Sequence, residues 1–552
     1  MKHQSKMKLS LSICTSAMMI VITPLNLSSC SSTGIVLANF ESYMAPKLMD
    51  QLHEKHSIRF VNYSTNEDIL AKFANSYDIA VPSTYTVLEL IKNDLIGGVN
   101  QEVQIDGTSH TIENVGIDWQ YLGQKYQLTA LPDRFGETAL PLIDKATPKS
   151  ESYDPKYDPS NAQSLFSETI DNVIDAVDAY AHEPAHRYYG NDKSILYYAI
   201  PYFLQDWMFA YHGDYIPELP SSTQHENGWY SDYSEDPTNP KPVTWNDITD
   251  VISPKKNAKN ANLDNRFKPT NRQRMTLVDD SRTNYDMAHL IYDTQHKVAD
   301  PGINPGNGQT TLSAIASVYA ALTDKFNPNT FRLNSDSQQA LYSFAKPIGD
   351  PEHATFAEAN GIIAYNGDIL YAAMGAGIDD WADTWYCEPE SEDGPLIHGN
   401  FHIVKPKDTP VALDMMVINK KVNQSSKKQD VYDILYKILL EGCNETPDIE
   451  GIGLENDHDE FVYGPMLNFD YVAYTPTLYN LNTFVARDMD EPDPENSYFD
   501  MLYPDDHNKA ELLAEINNVN FDINSGRLIE LPLSNLAKSN MSTVYMQYKE
   551  KL

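Results

Sequence analysis

Between residues 34 and 95 the chain alternates short β-branched apolar runs with segments whose apolar residues recur at helical spacing. Residues 35–37, 58–61 and 79–81 read as strands, and residues 44–53, 67–73 and 86–91 as helices. This β-α-β-α-β order predicts a parallel sheet flanked by helices, because a crossover between parallel neighbours needs the length of a helix. Ligands of such sheets lie beyond the carboxyl ends of the strands, where residues 39–43 and 83–85 fall. From about 100 to 190 the periodicity loosens into Tyr-, Asp- and Pro-rich sequence. It returns in "ILYYAIPYFLQDWMFAYHGD", "VTWNDITDVI" and "RMTLVDDSRTNYDMAHLIYD", then in "TTLSAIASVYAALTDKF" as a helix and "GIIAYNGDILYAA" as a strand. After another loose acidic stretch at about 375–400, "ALDMMVINKK" leads into the helical "QDVYDILYKILLEG", and the chain closes on the helix "LSNLAKSNMSTVYMQYKEKL". No internal repeat is visible, and the loose stretches read as surface inserts on an α/β core.

Length and charge narrow the picture. The 552 residues, 41% of them hydrophobic, suffice for a large core and favour two lobes over one. The formal net charge is −37. Residues 1–29 hold Lys2, Lys6 and Lys8 but no acid, so the rest of the chain is more acidic still. Such a surface repels nucleic acid and anionic lipid and attracts cations. The basic start, the apolar "LSLSICTSAMMIVITPLNL" and the closing "LSSC" predict a secretory signal. A leucine three residues before Cys30, with small residues between, resembles the bacterial lipobox, in which the cysteine is acylated and becomes the first residue. A plain signal peptide, or one span with a chance cysteine, is the other reading. No later stretch reaches the ~18 consecutive apolar residues of a membrane span. Cys387 and Cys443 are too few for a disulfide framework and match no zinc spacing; the sequence leaves open whether they pair.

Catalytic signatures are missing: no G-x-S-x-G, no H-E-x-x-H, and "GINPGNGQ" lacks the Lys-Ser or Lys-Thr of a phosphate loop. The expectation is therefore a protein that is not an enzyme, with no cofactor and no metal. The acidic runs "ENDHDE" and "DMDEPDPE" lack the glycine and spaced glutamate of a calcium loop and read as solvated surface. More informative are rings and carboxylates recurring together at expected loop positions: Phe40-Glu41-Ser42-Tyr43, Asp279-Asp280, Tyr365-Asn366-Gly367-Asp368, Asp414 and Tyr474. A flexible organic cation needs both. Carboxylates take its N–H groups in short charge-assisted bonds, and aromatic faces cover its methylenes and attract the ammonium. Taken singly, each ring is an ordinary core residue.

Nine segments in order, "ANFESYMAPKLMDQL", "YDIAVPSTYTV", "AIPYF" with "HGD", "TWNDI", "LVDDSR", "NSD", "GIIAYNGD", "LDMMVIN" and "YTPT", span about 35 to 480. Through them the chain resembles the spermidine/putrescine-binding proteins of bacterial polyamine ABC importers. The resemblance implies that Phe40 and Tyr365 replace ligand-stacking tryptophans and that Tyr43 and Tyr474 are pocket tyrosines. It also implies that Ser83 and Tyr85 offer hydroxyls to ligand, that Asp280 holds a terminal amine, that Ser335 is a minor polar contact and that Asp414 is the central carboxylate. Thr283 departs from it, standing where a second acid belongs, as does Ala412 or Leu413 where a tryptophan belongs. Glu41 or Asp368 is expected to supply the missing acid. A C-terminal glutamine contact of that family has no counterpart that can be placed.

The resemblance implies an α/β, two-lobed periplasmic-binding-protein-like fold of type II, each lobe a central sheet flanked by helices, with the ligand cleft between lobes. The expected division is a signal peptide at 1–29 and lobe one at 34–203, returning at 413–485. Lobe two is expected at 204–412, with inserts at about 215–240 and 375–400, plus the tail at 486–552. The implied function is a monomeric substrate-binding lipoprotein, anchored through Cys30 on the extracytoplasmic face of the cell membrane. It would take a polyamine and hand it to the permease and ATPase subunits of an ABC importer. A same-fold binder of another cation or metal, and a surface adhesin or scaffold that has lost transport, are the other readings.

Overall fold

The computed structural model describes residues 34–63, 65–105, 108–128, 165–190, 193–212, 224–225, 228–229, 243–252, 275–296, 311–325, 331–334, 340–341, 343–344, 359–374, 401–406, 409–443, 463–486, 498–502, 507–519 and 528–550. Cys30, Ser335 and Cys387 lie outside them, as do residues 129–164 of the loose stretch at about 100–190.

The amino-terminal units run β1 (Val36–Phe40), α1 (Pro46–His56), β2 (Arg59–Tyr63), α2 (Asn66–Ser76), β3 (Ile79–Ala80) and α3 (Thr84–Lys92). β2 and β3 pair with β1 on either side, all parallel, so Leu37 stands between Phe60 and Ile79. The helices form because their apolar residues return every fourth position: Leu48 and Leu52 in α1, Ile69 and Phe73 in α2, all buried against the sheet. Pro46 opens α1, where its missing N–H costs nothing, and Ser57 closes it in the left-handed conformation.

Regular structure continues where the periodicity loosens. A hairpin, β4 (Val99–Ile105) and β5 (Thr108–Val115), is followed by α4 (Trp119–Tyr126) and α5 (Glu168–His182). Tertiary cover keeps these elements in place: Val115, Trp119, Val173 and Ile174 are fully buried. Next come β6 (Ala199–His212), β7 (Gln224–His225), β8 (Gly228–Trp229), α6 (Trp245–Ile252), β9 (Met275–Val278), α7 (Ser281–His296), α8 (Leu312–Lys325) and β10 (Phe331–Asn334). "GIIAYNGDILYAA" is not one strand; it divides into β11 (Gly361–Tyr365) and α9 (Asn366–Ala373). Asp368 in the first turn of α9 suits the positive end of the helix dipole, and a strand pattern hides that turn because both halves are apolar.

The remaining elements are β12 (Phe401–Val404), β13 (Pro410–Ile418), α10 (Lys420–Asn423), α11 (Lys428–Leu435), α12 (Gly464–Val472), β14 (Thr475–Pro476), α13 (Tyr479–Ala486), α14 (Tyr498–Leu502), α15 (His507–Asn517), β15 (Leu528–Ile529) and α16 (Asn535–Lys549). Among the described residues eleven strands join in one sheet: eight run in the order β10-β9-β11-β6-β13-β3-β1-β2, and β12 and β14 also pair with β6 and β15 with β13. β6 bridges the two halves: residues 199–206 pair antiparallel with β13, and residues 207–212 with β11 and β12. One hydrophobic core gathers around β1–β3 and β13, and a second around Trp207, Phe209, Tyr211, α7, α8 and α16. The fold is thus α/β with two lobes, and β6 and β13 run through their junction. No helix among the described residues is long and apolar enough to cross a membrane.

Candidate functional site

At that junction lies a cavity of about 310 Å³. Ten of the eleven ligand-binding candidates line it: Phe40, Glu41, Tyr43, Ser83, Tyr85, Asp280, Tyr365, Asp368, Asp414 and Tyr474; the eleventh, Ser335, is outside the described residues. They arrive from strand ends and helix starts. Phe40 ends β1, Ser83 precedes α3 and Tyr85 lies in its first turn, Asp280 precedes α7, and Tyr365 ends β11 just before α9. Asp414 is the exception to the expected loop placement. It lies inside β13, where the register on β6 shifts between Asp414 and Met415. A bulge of this kind re-aims a strand side chain, and Asp414 faces the cavity from the middle of the sheet.

Asp414 is 3% exposed and accepts three hydrogen bonds: from Ser83 Oγ at 2.6 Å on Oδ1, and from Tyr43 OH at 2.8 Å and Gln205 Nε2 at 2.6 Å on Oδ2. Burial pushes its carboxyl up to about 6, while the Ser83, Tyr43 and Gln205 bonds pull it down. The Ser83 hydroxyl therefore donates to Asp414 while Ser83 itself lines the cavity. Asp368 follows the same pattern: burial raises it to about 6, against bonds from Tyr474 and the backbone of Tyr365. Around these acids the rings interlock edge to face. The Tyr43 ring centre is 5.9 Å from Phe40, 5.4 Å from Tyr474 and 5.3 Å from Tyr202.

Of the pair Asp279-Asp280, only Asp280 lines the cavity. Asp279 turns to the carboxyl-terminal helix, where it accepts from Tyr545 OH at 2.6 Å and pairs with Lys549. Asp280 Oδ1 accepts from Thr283 N at 2.7 Å, capping α7. Thr283 and Ala412 line the wall while Leu413 is fully buried, so Ala412 is the position at which a larger ring would enter the cavity. Glu41 is exposed at the rim.

Five lining residues were not among the candidates read from the sequence: Glu67, Gln205, Arg282, Tyr371 and Glu530. Gln205 lies in a strand whose apolar run gives no hint of its amide, and Glu530 reaches the cavity only because β15 pairs with the far end of β13. Arg282 could have been suspected from "LVDDSR". Its Nε donates to Asp286 at 2.7 Å, its Nη2 to the Leu531 carbonyl at 3.0 Å, and its guanidinium lies 5.1 Å from the Tyr85 ring centre. Among the described residues the lining holds six acids, Glu41, Glu67, Asp280, Asp368, Asp414 and Glu530, against this one base, already paired.

Gly367 sits under the Tyr474 ring, and a Cβ there would overlap three of its carbons. Gly367→Ala is expected to drive Tyr474 into the cavity, lowering stability by about 1–3 kcal/mol, the usual cost of overpacking. Urea unfolding of the variant measures this, and an unchanged midpoint would contradict the packing described.

A family model described as hypothetical lipoprotein (MG045 family) matches residues 1–107 and 144–520. The chain belongs to this lipoprotein family. Among curated proteins none matches the chain. Of solved structures, this lipoprotein is similar to a candidate spermidine/putrescine ABC transporter from Listeria monocytogenes, at 13% identity over 94% of this chain and 99% of that one, TM-score 0.45. It is also similar to the spermidine/putrescine ABC transporter substrate-binding protein PotD from Streptococcus pneumoniae, at 13% identity over 94% and 99%, TM-score 0.41. The Tp0655 (TpPotD) lipoprotein of Treponema pallidum aligns at 13% identity over 93% and 98%, TM-score 0.41.

Proposed function

We propose that this lipoprotein is a substrate-binding protein that captures a polyamine, spermidine or putrescine, outside the cell and delivers it to an ABC importer. The observation that carries this reading is the charge of the cavity: among the described residues its lining holds six acids and one paired arginine, with the rings of Phe40, Tyr43, Tyr85, Tyr365 and Tyr474. A protonated polyamine supplies what that wall lacks, ammonium groups for the carboxylates and methylenes for the rings. A neutral ligand would leave Asp368 and Asp414 as costly as they are in the empty cavity. The role is binding, not catalysis. In it, acyl chains on Cys30 hold the protein at the outer face of the membrane, lobe one comprises 34–203 and 413–485, and lobe two comprises 204–412 with the tail. Contacts made only with both lobes shift the protein toward closure, and the closed form is what permease and ATPase subunits would meet.

Thermal shift with putrescine, spermidine, spermine and arginine tests the reading. A ligand at 100 times its Kd stabilises by about 2.7 kcal/mol, so Tm should rise with the polyamines, and less with arginine, whose carboxylate meets the acids. No rise with any polyamine would sink the proposal.

A further inference from the structure

The carboxyl-terminal segment, residues 528–550, reaches from one hydrophobic core to the other. It begins with β15 on β13, at the lobe junction, and passes the cavity at Glu530. Leu533, Ala537, Met541 and Val544 then seat α16 in the second core. The far end of α16 is fastened there by Tyr545 OH, which donates to Asp279 at 2.6 Å, and by Lys549, which pairs with the same carboxylate. Its first turn points the other way. Lys538 pairs with Glu89 of α3, a helix whose Val87, Leu88 and Leu90 belong to the first core. Glu89 stands one turn beyond Tyr85, the spacing that puts two side chains on one helix face. Tyr85 in turn lies 5.1 Å from the guanidinium of Arg282 on α7, which Asp286 and the Leu531 carbonyl hold. One face of α3 is thus gripped at successive turns by two cations fixed to the second core.

The two grips differ in what they touch. Arg282 and Tyr85 line the cavity, so a ligand alters their contact, whereas Glu89 and Lys538 do not line it. The Glu89 and Lys538 side chains are 15% and 16% exposed, so solvent and salt screen their attraction far less than that of a surface pair. Among the described residues Glu89 is the one hydrogen-bond partner of the Lys538 ammonium. We propose that Glu89 and Lys538 form a latch that holds the two lobes together over the empty cavity and gates ligand exchange without touching the ligand. To let a ligand pass, α3 and α16 must part, and the pair then breaks. The pair is intact both before and after binding, so most of its contribution cancels from affinity. Its effect falls on the rates: it lowers the fraction of empty protein open to entry and slows the reopening of loaded protein. Gating of a polyamine rests on the reading above, while the latch itself rests only on the contact between α3 and α16.

Stopped-flow kinetics of the full chain with putrescine, together with small-angle scattering of the empty protein, test this in Lys538→Met, Glu89→Gln and the double variant. Met keeps the apolar stem and Gln the shape, so each change removes one charge. Side chains in contact couple by a factor of about ten. Dissociation is therefore expected to be about tenfold faster and association about threefold faster in either single variant, with Kd raised only about threefold. The double variant should match the singles, because the pair is already broken in each. The radius of gyration of the empty protein should rise in all three. Both rates unchanged in a folded variant, or dissociation speeding up while association does not, overturns the latch and leaves the polyamine reading intact. If putrescine, spermidine and spermine all fail to bind wild type, that reading falls and scattering alone decides: a larger radius in the variants supports the latch, and an unchanged one overturns it. If one single variant fails to fold, the other carries the same test.

Discussion

Asp414→Asn is expected to weaken polyamine binding by about 100-fold or more. Truncating one partner of a buried charge-assisted pair costs about 2–5 kcal/mol, and each 1.4 kcal/mol is roughly tenfold. The asparagine also misfits its neighbours. Ser83, Tyr43 and Gln205 all donate to the carboxylate, and an amide presents one NH2 among those donors, leaving at least one without an acceptor. Stability should change far less than affinity. In the empty protein burial holds the Asp414 carboxyl at about 6, above its usual 3.8, a cost on the order of 3 kcal/mol at neutral pH that the neutral side chain removes. The lost hydrogen bonds offset that gain. Calorimetry with putrescine, paired with thermal melts of wild type and variant, separates the two effects; an unchanged Kd in a folded Asp414→Asn protein would refute the central role of this carboxylate.

Acidification from pH 7 to pH 5 should lower polyamine affinity by about tenfold per carboxylate, on the order of 100-fold for Asp368 and Asp414 together. Both titrate near 6 in the empty cavity, chiefly because they are buried, and at pH 5 each must shed a proton before it can pair with an ammonium. The stability of the empty protein should move the other way. An acid whose folded pKa lies above its unfolded value holds more protons folded than unfolded between the two, so stability falls as pH rises through that interval. For Asp368 and Asp414 the interval runs from about 4 to about 6, and for Glu530 it extends to about 8. The empty protein should therefore melt higher at pH 5 than at pH 7 while binding its ligand more weakly. Surface acids such as Asp94, lowered by its bond to Lys420, act oppositely, but that group is exposed and contributes little. Calorimetric Kd values and melts at both pH values give the two signs, and an affinity that is flat or rises on acidification would contradict the buried-acid description.

These expectations depend on which residues share the cavity, and the sequence goes a long way toward that list. Phe40, Tyr85, Asp280 and Tyr365 stand at strand ends or helix starts, and local periodicity locates such points because neighbours within a turn decide where a strand gives way to a helix. Ser83 shows the limit. Its place after Pro82 was legible, yet the partner of its hydroxyl, Asp414, lies 331 positions away in the chain.

From the sequence alone came the β-α-β-α-β start, the α/β class and the gathering of rings and acids at strand ends, all set by side-chain spacing over a few residues. Only the tertiary structure decided the bulge that turns Asp414 inward from mid-strand, the diversion of Asp279 to the carboxyl-terminal helix, and the arrival of Glu530 and Gln205 in the wall. The physical reason is the same in each case. Which distant strands pair, and in what register, is settled by burying two faces of one sheet at once, a condition on the whole chain that no short stretch of it records.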